Sequence, residues 1–124
     1  MPYMNAAGST STAENRRGAE AASAFVDLLL LSLLSNGPRH GFGLVVELDE
    51  AGLLPEGQGS IYPVLSRMER EGLVDSFMQE VADKERRRKY YRLTSDGARV
   101  LGQLQAQWRS FSDGVEGLLQ RPGE

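Results

Sequence analysis

Apolar residues crowd positions 25–34, where only Asp27 and Ser32 interrupt a run of Phe, Val and Leu. A helix that is apolar on nearly every face is buried on nearly every face. A chain of 124 residues can cover one side of such a helix with its own body. A second subunit is therefore expected on the other. Asn36, Gly37 and Pro38 then stop the helix by C-cap chemistry. A second helix opens at His40-Gly41-Phe42-Gly43, carries Leu44, Val45 and Leu48 on one face, and closes near Gly52.

The third periodic segment begins at Ser60, a favourable N-cap, and runs to Glu71 before Gly72. Ile61, Leu65 and Met68 form its apolar face. Pro63 falls in the first turn, where a missing N–H costs nothing. The outer face presents Tyr62, Pro63, Ser66, Arg67 and Arg70. Two alternating stretches follow, 73–80 and 88–94, which predict paired strands. Residues 81–87 between them lack the Asn-Gly of a tight turn, so a longer loop is expected.

Thr94 then caps a long last helix, with Asp96 in its first turn, ending near Leu119. Leu101, Leu104, Trp108, Phe111, Val115 and Leu118 are spaced 3, 4, 3, 4, 3, the pattern of a heptad seam. Gly102, Gly114 and Gly117 weaken this helix as an isolated element, which favours a partner. Helix, helix, outward-facing helix, basic hairpin and long helix is the order of a winged helix–turn–helix. The expected fold is mainly α with a small β-hairpin, plus a C-terminal dimerisation helix. The expected division is a disordered tail over 1–18, a DNA-binding domain over 19–94 and the dimerisation helix over 95–120.

Charge sharpens this picture. The net charge is −3, yet Lys84, Arg86, Arg87, Arg88, Lys89 and Arg92 stand within nine residues against Glu85 alone. Such segregation makes a local positive field on an acidic body. In a hairpin beside a helix sized for the major groove, those cations are placed to meet phosphates. Ser60, Tyr62, Pro63, Ser66, Arg67 and Arg70 are the candidates to face the bases, and Lys84, Arg86, Arg87, Arg88 and Lys89 the backbone. The acidic remainder keeps a second reading open, a winged helix used for protein–protein contact.

The chain has no Cys and a single His, which leaves neither a disulfide framework nor a thiolate metal site. No catalytic constellation or phosphate-binding loop motif is visible, so neither an enzyme nor a cofactor is expected. His40, beside Gly41 at a helix start, reads as a capping or packing residue. The first residues lack the apolar stretch of a signal peptide. The run at 25–34 is about half the ~20 residues that a membrane span requires. A soluble, cytoplasmic protein is the expectation.

The same residues resemble the PadR family of bacterial transcriptional regulators, over residues 24 to about 119. The match rests on the apolar first helix ending at Gly37-Pro38, on His40-Gly41-Phe42, on the stretch GSIYPVLSRMEREGL at 59–73, and on RRKYYRLT at 87–94. The resemblance implies a homodimeric repressor on an inverted-repeat operator in double-stranded DNA, with the third helix in the major groove. It implies that one of Tyr90 and Tyr91 is core. It also implies an effector site in which Trp108 stacks a flat aromatic compound between subunits, lined by Phe111, Phe25 and Leu28, with Asp27 as a counter-charge. A nucleotide second messenger is the alternative input. Many relatives carry glycines in the wing, whereas this wing reads ADKERR at 82–87.

Overall fold

The computed structural model describes residues 25–54, 61–80 and 86–122. The expected tail at 1–18, Ser60 and Lys84 lie outside the described residues. Four helices and three short strands follow in the order α1 (25–34), β1 (Arg39–His40), α2 (Gly41–Glu50), α3 (Ile61–Arg70), β2 (Val74–Glu80), β3 (Arg87–Leu93) and α4 (Ser95–Leu119).

The helix boundaries follow local chemistry. His40 caps α2, its Nδ1 accepting from the Gly43 N–H at 3.0 Å. At the far end Gly52 takes φ +72°, and Leu53 N–H donates to the Leu48 carbonyl at 2.8 Å. α3 ends in the same way, with Gly72 at φ +77° and Leu73 N–H donating to Met68 O at 2.9 Å. Both are Schellman closures, in which a left-handed residue lets the chain fold back on the last carbonyls. Glycine enters that region without a Cβ penalty.

Leu30, Leu31 and Leu34 of α1 meet Leu44 and Leu48 of α2 and Ile61, Leu65 and Met68 of α3 in one core, closed by Val74 and Tyr91. Burial of each such side chain is worth roughly 1.5–3 kcal/mol. α1 is buried on this side alone. Phe25 is exposed, and Leu28, Leu29 and Leu33 are half-buried.

The sheet contains the expected hairpin, β2 paired with β3, and adds a third strand to it. It has three antiparallel strands in the order β1-β3-β2, with Arg39 opposite Tyr91 and His40 opposite Tyr90 on one side of β3. On the other side Phe77 faces Tyr90 and Asp75 faces Arg92. Tyr91 points into the core, while Tyr90 stays half-buried and stacks on Phe77 with ring centroids 5.6 Å apart.

α4 leaves the sheet through a tight crossing. Thr94 N–H donates to Leu73 O at 3.1 Å, and the Thr94 hydroxyl donates to Gly72 O at 2.6 Å while accepting from Gly97 N–H. A Cβ placed on Gly97 would overlap the Leu73 carbonyl oxygen, far inside van der Waals contact. Backbone cannot yield there as a side chain would. Gly97→Ala is expected to cost about 2–3 kcal/mol by overpacking and to lower the thermal midpoint by roughly 10 °C or more. A melting curve matching the wild type would show that the crossing is not tight.

The heptad stripe changes its role along α4. Leu101, expected on a dimer seam, is buried in its own core, because the first turns of α4 lie over Leu73 and Leu93. Leu104 packs partly on that core. Beyond it the stripe is largely uncovered, with Trp108 43% exposed, Phe111 60% and Leu118 62%. Val115 is half-buried.

Candidate nucleic-acid interface

α3 turns Ile61, Leu65 and Met68 inward, which leaves Tyr62, Pro63, Ser66 and Arg70 exposed on its outer side. Tyr62 lies against the first turn of α2, where Gly41 leaves the room: a Cβ on Gly41 would stand 2.6 Å from the Tyr62 ring. His40, Gly41, Phe42, Tyr62, Arg88, Lys89 and Tyr91 line one open groove of about 320 Å³. The start of α2, the start of α3 and the basic strand β3 thus share one surface. In the sequence the third helix and the wing are separate candidates. The structure joins them through Tyr62 on one side and Arg88 on the other.

The cations in this surface are not equivalent. Lys89 pairs with Glu69 of α3 at 3.1 Å and lies 5.3 Å from the Tyr91 ring centroid. Glu69 also accepts from the Ser76 hydroxyl at 2.5 Å. That hydroxyl, then Lys89, holds the Glu69 carboxyl below the usual carboxylate range, and the hydrogen bond to Glu69 raises Lys89. Arg92 pairs with Asp75 at 2.9 Å and covers the Phe77 ring.

Arg88 approaches His40 Nδ1 at 3.4 Å. Burial, then the Arg88 charge, lowers the His40 pKa, so the ring is neutral at pH 7 with Nδ1 free to accept. Its ring also meets Tyr90 edge-on at 5.3 Å. Among the described residues, Arg70, Arg86, Arg87 and Arg88 have no carboxylate within ion-pair distance. In this surface they are the cations without an acidic partner among the described residues.

Arg67 differs from the expected outward-facing residue. It pairs with Asp27 of α1 at 2.5 Å and with Glu71 at 2.9 Å. Burial opposes its charge, but the contacts with Asp27 and Glu71 outweigh that and raise its pKa. Asp27 is thereby occupied, and does not stand as a free counter-charge beside Trp108. The Trp108 ring meets Phe25 edge-on at 5.5 Å and Phe111 at 6.1 Å. Sequence reasoning missed β1, Glu69 and the Asp27–Arg67 pair.

The profile described as Transcriptional regulator PadR-like family matches residues 30–103, which span all three surface-forming elements. The chain belongs to this family. A PadR family transcriptional regulator from Eggerthella lenta is 34% identical and covers 98% of this chain and 100% of its own, with a TM-score of 0.66. A PadR-like transcriptional regulator from Bacillus cereus is 30% identical over 77% of this chain and 92% of its own, TM-score 0.71. A PadR family transcription regulator from Clostridium difficile is 27% identical over 77% of this chain and 98% of its own, TM-score 0.69.

This PadR-like chain is accordingly a transcriptional regulator of winged-helix architecture, and its surface of α3 and basic strand is suited to DNA. No helix among the described residues is long and apolar enough to cross a membrane.

Proposed function

We propose that the protein is a homodimeric transcriptional repressor that binds an inverted-repeat operator. α3 enters the major groove with Tyr62, Pro63, Ser66 and Arg70 toward the bases. Arg86, Arg87 and Arg88 meet the adjacent backbone from the wing. The observation that carries this reading is the shared groove, in which the exposed start of α3 and the basic strand face the same side. A helix reading bases and a cationic hairpin holding phosphates need that arrangement.

The uncovered half of α4 supports the dimer. Trp108, Phe111, Leu118 and Leu119 make an apolar stripe that a monomer would leave in water. Phe25 of α1 continues it at the Trp108 end. A planar aromatic effector stacking on Trp108, between Phe25 and Phe111, would sit where the subunits meet and so alter half-site spacing. Half-sites on such a dimer lie about one helical turn, ~10 bp, apart.

A mobility-shift titration and footprint on the DNA upstream of the protein's own gene, at two salt concentrations, test the reading. A specific, salt-sensitive complex of dimer size on a site with dyad symmetry is expected. Protection of a site without dyad symmetry would overturn the dimeric placement. Binding equal to that of random DNA would favour a protein partner for the same surface.

A further inference from the structure

α3 is gripped along both edges. Toward the sheet, Glu69 holds Ser76 and Lys89. Toward α1, Arg67 Nη2 donates to Asp27 Oδ1 while Nη1 donates to Glu71 Oε1. Asp27 is 18% exposed and Arg67 31%, so this pair is partly withdrawn from water and from screening by salt. Of the two arginines on the outer half of α3, Arg70 is without a carboxylate partner among the described residues. Arg67 already bridges two acids, one of them in another helix. To reach into a groove it would have to abandon Asp27, leaving a partly buried carboxylate uncompensated.

We propose that Asp27 and Arg67 are positioning residues for DNA reading: their ion pair fixes the seat of α3 on α1, and neither side chain touches the DNA. This rests on the proposed placement of α3 in the major groove. The pair sets the angle at which Tyr62, Ser66 and Arg70 are presented. Without it, the preference for the operator over other DNA falls while the grip on phosphates persists.

The test is the ratio of affinities for the operator fragment and for random DNA, measured over a salt series. Wild type is compared with Asp27→Asn, Arg67→Gln, the double variant and Arg70→Ala, with melting curves to confirm that each is folded. Each single substitution at the pair is expected to lower the ratio by about tenfold, with the double variant no worse than either, as for two residues acting through one contact. The salt slope on the operator stays that of the wild type, since every phosphate keeps its cation.

A charge-swapped chain, Asp27→Arg with Arg67→Asp, regains part of the ratio. Should it fail to fold, the neutral cycle decides alone. Two results overturn the role of the pair: additive losses, or an Arg67→Gln slope shallower by about two, one phosphate per subunit of the dimer, with Asp27→Asn at or above the wild-type ratio. The latter makes Arg67 a DNA contact held in reserve by Asp27. Arg70→Ala reports on the underlying placement separately, and unchanged affinity there removes α3 from the groove and the proposal with it.

Discussion

Replacing Arg86, Arg87 and Arg88 together by alanine is expected to weaken operator binding by about a hundredfold or more near physiological salt, and to flatten its salt dependence. Each phosphate neutralised releases condensed counterions, and contributes about 0.9 to the slope of log affinity against log salt. In a dimer the substitution removes three such cations from each subunit, which would reduce that slope by up to roughly five. The effect falls on specific and random DNA alike, because backbone contacts position the protein without reading sequence.

The fold should tolerate the change. Arg86 and Arg87 are exposed, Arg88 is half-buried beside His40, and none is paired with a carboxylate among the described residues. His40 keeps its cap on Gly43 without Arg88. Fluorescence anisotropy of a labelled operator from low to moderate salt supplies the measurement. An unchanged slope would remove the wing from the backbone and shift the reading toward a protein partner.

Much of this architecture was legible because it is local. The 3.6-residue period of Ile61, Leu65 and Met68, the Thr94 cap and the glycines at 52 and 72 are each decided within one or two turns of chain. His40 as a cap belongs to the same class.

What was not legible depends on residues far apart in sequence. β1 is two residues long, too short for any alternation, and exists because Tyr90 and Tyr91 come to lie beside it. Arg67 looked outward on a helical wheel, and only the approach of α1 shows that Asp27 holds it. Gly97 carries no signal of its role in the sequence, whereas the structure makes it the place where α4 crosses the Leu73 carbonyl. The heptad stripe was visible, but not where it passes from the domain's own core to open surface.

That passage decides how the dimer should be tested. Leu104 packs partly on its own core, so a charge there would damage the domain as well as any interface. Phe111 and Leu118 lie past the point where the domain covers α4 and are more than half exposed. Phe111→Asp with Leu118→Asp therefore puts two carboxylates on the stripe while leaving the core intact. In a dimer they would face an apolar partner, where an unpaired charge is too costly to bury. The doubly substituted chain is expected to sediment as a folded monomer.

Its affinity for a full operator should fall by about 10²–10⁴, because the second half-site is then no longer held at high effective concentration. The salt slope should fall by about half, since one subunit's phosphate contacts remain. Analytical ultracentrifugation and operator titration on the same preparation distinguish the outcomes. A chain that stays dimeric would move the interface off the α4 stripe. A monomer that still binds the full operator tightly would mean that one winged helix suffices, and that the exposed indole of Trp108 serves some purpose other than joining two of them.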